Sequence, residues 1–217
     1  MPPKNPQDLT PVIRTMKLKY KDVFSLGEFY DGLAYWIQER GWKSFDNVEE
    51  QWETYFSEKI AQSGAKEMWF WWRLAKPAPD TNVNPKTGES ETIQFHLFLT
   101  FHIIGLASTE VIKGGQKIKA DKGEMEIETE AYIDEIYKKK FKEEKGFFGF
   151  VLKEATNIFT KRIYVNTLDQ RKKELYQEAY ALNNFIKQWL KMKRYLPYEE
   201  SKNFFPSYAW PSHHKDE

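Results

Sequence analysis

The chain lacks cysteine altogether, and none of its apolar runs reaches 18 residues. The first absence excludes disulfides, thiolate nucleophiles and cysteine-bound metals. The second predicts that no helix spans a membrane. The opening residues, MPPKNPQDLTP, also lack the apolar core of a signal peptide, so we expect a cytoplasmic protein.

Catalytic signatures are equally scarce. Phosphate-binding GxxxxGK[ST] and GxGxxG loops are absent, as are the GxSxG and HExxH motifs. His96 and His102 share a strand face but are six residues apart, roughly 20 Å at strand rise, which is too far to share one ion. We expect each to be a surface or hydrogen-bonded histidine. These absences predict a protein that is not an enzyme and uses no cofactor or metal.

Aromatic side chains, by contrast, are abundant: they make up 17% of the chain and include 8 tryptophans. Many of them recur at regular strand or helix spacing, which favours a core built from large flat rings. A pocket lined by aromatic rings is the alternative.

Three strand-like segments precede a long amphipathic helical region. The strands are Glu67–Ala75, Thr92–Ile104 and Glu124–Ile136, and the helical region covers 147–196. This order predicts an α+β fold with an N-terminal strand and helix, an antiparallel sheet of about five to six strands, and a helical region packed on the sheet. We expect a loose arm over residues 1–15, a single domain over 16–196 and an aromatic, proline-rich tail over 197–217.

The N-terminal helix has a start and a stop signal. Ser25 and Glu28 form a capping box, in which the hydroxyl accepts from an unpaired amide at the helix start. Apolar residues follow at helical spacing, and Gly41 suits a left-handed helix end. These signals predict a helix over Leu26–Arg40.

Alternation predicts further strands over Met16–Phe24 and Gln51–Ile60, and Lys76–Glu91 reads as an exposed loop. On the strand from Glu67, Trp69 and Trp71 share one face and Trp72 lies on the other, so one set is expected to face the helices and the other to need a second cover. The core face of the next strand is predicted to carry Ile93, Phe95, Leu97, Leu99, Phe101 and Ile103.

Two glycine-containing turns are predicted to fold the following segment into a meander. Gly114-Gly115 closes a hairpin that pairs Glu110 with Lys119. A second turn at Lys122-Gly123 then pairs Lys119 with Glu126. Glutamates alternate along one strand face and form an acidic ladder, which comprises Glu124, Glu126, Glu128 and Glu130. Because lysines of the meander can neutralise this ladder, we favour a structural surface charge over a carboxylate pair for acid–base catalysis.

One apolar stripe marks the C-terminal helical region. Leu168, Leu175, Leu182 and Trp189 recur every seven residues, which predicts that they face the sheet. A second capping box from Thr167 to Gln170 predicts a helix restart or bend there. Pro197 is expected to end the helix.

Charge is distributed unevenly. Residues 1–137 carry 16 Lys+Arg and 22 Asp+Glu, a net of −6, whereas residues 138–194 carry 15 and 6, a net of +9. A basic helical surface follows, with Arg171, Lys173, Lys187 and Lys191 as candidate partner-binding residues. It binds either the phosphates of RNA or a protein partner, or it complements the acidic part of the fold.

The tail after Pro197 is a second candidate contact site. Disordered tails are usually poor in aromatic residues, so this one is expected to dock on its own domain or on a partner. Its candidate partner-binding residues are Phe204, Phe205, Tyr208 and Trp210.

Several segments together resemble an uncharacterised family of small, mainly archaeal proteins. They are the Ser25–Gly41 helix, the Glu67–Leu74 strand, the strand that ends in "GL" at Leu106, the Lys119–Ile136 stretch (KADKGEMEIETEAYIDEI) and the final helices. The resemblance covers about residues 16–192 and implies a cytoplasmic, archaeal origin but no activity and no site residues. The element order is also similar to helix-grip proteins of the START-like type, which implies a sheet curled around a C-terminal helix.

Three functions remain open at this point. The first is a non-catalytic protein-interaction or assembly module that uses the basic helical surface and the tail, with a protein partner or self-association. The second is a carrier of an apolar small molecule or lipid in a sheet–helix cavity. The third is binding to RNA or an RNA–protein assembly.

Overall fold

A computed structural model describes residues 9–44, 52–79, 92–113, 116–136 and 165–192. The described elements are strand β1, helix α1, five further strands and helix α2. Their bounds are β1 Thr10–Phe24, α1 Leu26–Glu39, β2 Lys43–Ser44, β3 Glu53–Ile60, β4 Lys66–Pro77, β5 Ile93–Lys113, β6 Gln116–Glu135 and α2 Val165–Trp189.

The six strands form one antiparallel sheet in the order β1-β6-β5-β4-β2, and β3 also pairs with β4. Both helices pack on the same face, which we call the inner face; the opposite one is the outer face. The predicted α+β class, the antiparallel sheet and the C-terminal helix are therefore confirmed.

Strand β1 is longer than predicted. It begins at Thr10, so residues 10–15 belong to the sheet and not to a loose arm. Just before it, Leu9 is buried against Phe98 and Tyr132 on the outer face. This part of the strand shows no regular alternation of apolar and polar residues. The reason is the register shifts between Pro11 and Met16, because each shift changes which side chains face the core.

The predicted turn at Lys122-Gly123 is wrong, because β6 runs through both residues. The first hairpin pairs Glu110 with Lys119 as predicted, but Glu126 lies between Lys19 of β1 and His102 of β5. Gly123 serves a different purpose: a Cβ there would lie 3.2 Å from the backbone oxygen of Ile104, beside a register shift in β5. The glycine permits a close backbone approach rather than a turn.

Helix α1 begins and ends as its sequence predicts. The Ser25 hydroxyl accepts from the Glu28 amide at 3.4 Å, and Asp121 of β6 accepts from the Leu26 amide at 3.1 Å. At the other end, Gly41 has φ +74° and its amide donates to Gln38. These caps leave few unpaired amides at the helix ends, and the contact with Asp121 anchors α1 to the sheet.

The core lies between the helices and the inner face. The six residues predicted for the core face of β5 are all 0–1% exposed, and Trp72 of β4 is fully buried beside them. Leu175, Ala179 and Leu182 of α2 are also fully buried, so α2 packs on the sheet as predicted.

The C-terminal end of α2 differs from the prediction in two ways. Trp189 is 42% exposed and lies on α1, because a seven-residue spacing drifts about 20° per heptad on a straight helix. The helix ends at Trp189 and not at Pro197: Lys191 takes a left-handed conformation (φ 53°), and the Met192 amide donates to Lys187. Thr167 lies inside helix α2, whose described part begins at Val165, so Thr167 is not the N-terminal cap of a restarted helix.

Several predictions fall outside the described residues. They are the central part of the predicted loop (80–91), the hairpin tip Gly114-Gly115, the helical stretch over 147–164, and the tail with Phe204, Phe205, Tyr208 and Trp210.

Candidate functional site

Large apolar side chains are exposed together at one edge of the sheet. We call this the edge surface and define it as Tyr55, Phe56 and Ile60 of β3 with Trp69 and Trp71 of β4. These five are half of the ten large apolar residues found exposed in the described part of the chain. A grouping of this kind is uncommon on a monomer and usually marks a contact site.

The outer half of the edge surface consists of stacked ring pairs. Trp71 stacks on Tyr55 of the neighbouring strand with ring centres 4.4 Å apart, and Trp69 stacks on His102 at 3.5 Å. Both pairs join residues directly opposite in the ladder or nearly so. Each pair holds its own two rings in place across neighbouring strands, so the rings meet a partner already ordered.

Arg73 supports this ring array from the interior side. Its guanidinium lies 5.3 Å from the Trp71 ring and 4.7 Å from the Phe98 ring, and it donates to the Leu99 carbonyl at 3.2 Å. Burial lowers the pKa of Arg73. The side chain remains a cation at neutral pH, because even a lowered arginine pKa stays far above 7.

His102 links the rings to the acidic ladder. Its Nε2 lies 2.9 Å from a carboxylate oxygen of Glu67 and its Nδ1 lies 3.9 Å from Glu126. The hydrogen bond with His102 lowers the pKa of Glu67. The expectation of a hydrogen-bonded histidine is thus met at His102. His96 is fully buried, so a surface position is wrong for it, because Leu9, Phe98 and Tyr132 cover that end of the outer face.

The inner half of the edge surface lies beyond the reach of the helices. Phe56 is 52% exposed and Ile60 is 62% exposed, although both point to the face that the helices cover elsewhere. Phe56 is opposite Phe70, which stacks on Phe101 in the core at 4.5 Å. The apolar core thus continues to the sheet edge and ends there in exposed side chains.

Strand β3 itself has an open side. Among the described strands it pairs with β4 alone, through seven residue pairs from Glu53 to Ile60. Its other side therefore presents backbone donors and acceptors that no described strand uses. Unpaired edges of this kind are templates for another chain.

The acidic ladder is a row of ion pairs. Glu124, Glu126 and Glu128 lie on one face as predicted, but their partners are lysines of β1: Lys19 contacts Glu124 and Glu126, and Lys17 lies 2.6 Å from Glu128. The hydrogen bond from Lys19 lowers the pKa of Glu124, and the same contacts raise the pKa of Lys19. The lowered pKa makes Glu124 a poor proton donor near neutral pH.

The predicted basic surface of α2 does not converge on one point. Arg171 is mostly buried and pairs with Glu174 at 2.7 Å, whereas Lys173 and Lys191 are exposed. Lys173 and Lys187 are 14 residues apart on the helix, or about 21 Å. Over Val165–Trp189 four basic residues face three acidic ones, a net of +1. The charge excess of this region thus lies mainly outside the described residues.

Sequence reasoning missed the site at Tyr55, Phe56 and Ile60. Their strand was predicted, but its edge position was not, because strand order depends on long-range pairing. The alternation predicted that one tryptophan face of β4 needs a second cover without saying which, and the structure shows that it is the face of Trp69 and Trp71. In the described part of the chain, no three histidine or acidic side chains are placed to hold a metal ion.

No profile of a known protein family matches this chain, and no curated protein is a significant match to it. The resemblance to the archaeal family therefore stays a prediction. Neither described helix is both long and apolar enough to cross a membrane.

Proposed function

We propose that this protein is a non-catalytic interaction module that binds an extended segment of a partner protein along β3. The observation that carries the proposal is the edge of β3, which no described strand pairs, with exposed aromatic residues on both of its faces. An added strand gains backbone hydrogen bonds from the edge and side-chain contacts from the two faces.

The two faces of the edge surface offer different contacts to alternate residues of such a segment. Tyr55 and Trp71 meet residues that point outward, and Phe56 and Ile60 meet those that point inward. A segment with apolar residues on both faces suits this arrangement best. Stacked rings lose little freedom on binding, so they are suitable anchors for affinity.

The sheet–helix interior offers less support for a carrier. A void of ligand size would leave exposed area on the side chains around it, yet Leu97, Phe101, Met125, Leu175 and Leu182 are 0–1% exposed. These residues fill the space between α2 and the sheet.

The test uses the full chain as bait for a displayed library of random linear peptides. We expect the selected peptides to be rich in apolar and β-branched residues and to lose binding when Phe56→Lys and Ile60→Lys are combined. The control is Ile112→Lys, which changes an exposed isoleucine on another part of the sheet. Amide exchange on β3 should also slow when peptide is bound.

Two outcomes would reject the proposal. One is that the wild-type chain selects no peptide. The other is that the edge variant and the Ile112→Lys control bind the selected peptides equally well. A wild-type chain that forms dimers through β3 would show a second copy as the occupant, and the same edge variant should then restore the monomer mass in light scattering.

The predicted tail stays a second contact surface for the same function. Phe204, Phe205, Tyr208 and Trp210 lie outside the described residues. Deletion of residues 198–217 should leave the unfolding midpoint unchanged and weaken self-association. Unchanged mass and partner binding after the deletion would exclude the tail from this role.

A further inference from the structure

A groove of about 550 Å³ lies between the two helices, on the side away from the sheet. It shares no residue with the edge surface. Helix α1 lines it with Glu28, Asp31, Gly32, Tyr35, Trp36 and Glu39, and helix α2 lines it with Phe185 and Trp189. Its volume falls within the range of small-molecule sites, whereas protein partners usually meet flatter surfaces.

The walls of the groove are aromatic. Phe185 lies between Trp36 and Trp189, with both ring distances at 5.9 Å. The Trp189 ring rests on Gly32, where an added Cβ would lie only 2.7 Å from two ring atoms. Ring faces of this kind attract cations, and the Arg40 guanidinium already lies 4.3 Å from the Trp36 ring.

Carboxylates dominate the lining of the groove, although the Arg40 guanidinium lies beside its Trp36 wall. Three of its eight lining residues are carboxylates, and none of the eight is lysine, arginine or histidine. Glu28, Asp31, Tyr35 and Glu39 follow one another at spacings of three and four residues, so they form one stripe along α1. Glu28 and Glu39 are 11 residues apart, which corresponds to about 16 Å along the helix.

We infer that this groove binds a linear polyamine that lies parallel to α1. The terminal ammonium groups of an extended tetraamine are separated by a distance similar to that between Glu28 and Glu39. Its methylene segments would pack on Tyr35, Phe185 and Trp189, as the stems of lysine side chains pack on apolar surfaces. A single metal ion would not engage all three carboxylates, because Asp31 and Glu39 are eight residues, or about 12 Å, apart.

The test is calorimetric titration of the full chain with spermine, spermidine and putrescine at about 150 mM NaCl, where distant surface charges are screened. We expect affinity to fall in that order as charge and length decrease. Glu39→Gln and Tyr35→Ala should each weaken spermine binding about two- to fivefold. Glu110→Gln is the matched control, because it removes one exposed carboxylate from another part of the fold.

Three results would overturn the inference. The wild-type chain could fail to bind spermine under these conditions. Glu110→Gln could weaken binding as much as Glu39→Gln, which would indicate unspecific attraction. An octalysine peptide could bind more tightly than spermine with the same dependence on Tyr35 and Glu39, which would assign the groove to a basic protein segment. Because the two sites share no residue, loss of peptide binding by the β3 variant leaves this result independent.

Discussion

Replacing Gly32 by alanine tests how the two helices meet. Inside a helix, glycine to alanine normally stabilises a protein by about 0.5–1 kcal/mol, because alanine loses less chain entropy on folding. Gly27 of the same helix shows the undisturbed case, since an added Cβ there meets nothing within 4 Å. At Gly32 the added Cβ would meet the Trp189 ring at 2.7 Å, so the ring must move.

At Gly32, the entropic gain from alanine and the cost of displacing the Trp189 ring are of similar size. Trp189 is already 42% exposed, so its ring can swing outward instead of straining the backbone. If that motion uncovers an apolar area on the order of 50 Å², it costs about 1.2 kcal/mol. The net change should therefore lie between about zero and 1 kcal/mol of destabilisation, whereas Gly27→Ala should stabilise by up to about 1 kcal/mol.

Urea unfolding followed by circular dichroism measures both variants. The decisive background is Trp189→Ala, in which the obstructing ring is absent and Gly32→Ala should stabilise as much as Gly27→Ala. The coupling between positions 32 and 189 should then be about 1 kcal/mol. Equal stabilisation by both glycine substitutions in the wild-type background would show that Trp189 does not rest on Gly32.

Three further predictions concern the sheet. Leu97→Ala should lower the free energy of unfolding by about 2–5 kcal/mol, because Leu97 is only 1% exposed. Ile112 is 73% exposed, so Ile112→Ala should change that free energy by less than about 0.5 kcal/mol. A loss at Leu97 no larger than that at Ile112 would contradict the core assignment. Gly123→Ala should destabilise the protein, since the added methyl meets backbone atoms that cannot move cheaply, and a gain in urea midpoint would show that the strands have room there. Lys19→Met should return the pKa of Glu124 towards its usual value, which a carbon-13 carboxyl titration measures. Because the folded pKa is lowered in the wild type, this pair stabilises the fold above the ordinary glutamate pKa and stops doing so as pH falls through the lowered value; an unchanged Glu124 titration in the variant would disprove the link.

Local signals predicted the elements well and their assembly less well. Helix α1 was predicted to within one residue because its start and stop depend on Ser25 and Gly41, which act on their own neighbours. The core face of β5 was predicted because its alternation reflects burial directly. Both signals act within a few residues of the chain.

The errors arose where distant segments decide the outcome. Gly123 has the sequence context of a turn, but its role is set by the approach of Ile104 on β5. The lysines that neutralise Glu124 and Glu128 lie more than 100 residues away on β1, and no local pairing rule connects them. The seven-residue spacing predicted that Trp189 faces the sheet, but the rotation of successive heptads on a straight helix places it on α1.

The hairpin of β5 and β6 extends beyond the rest of the sheet, since β4 pairs no further than Leu106 and β1 no further than Asp121. Among the described strands, the segments past these points pair only with each other, and an isolated two-stranded ribbon is marginally stable in water. Its amide protons should therefore exchange with solvent through local fraying, long before those of Leu97 or Ile127 exchange through global unfolding. A spectroscopic label on Ile112 would consequently report on this protruding part of the hairpin alone. The same position would tolerate an inserted affinity tag without loss of the folded sheet.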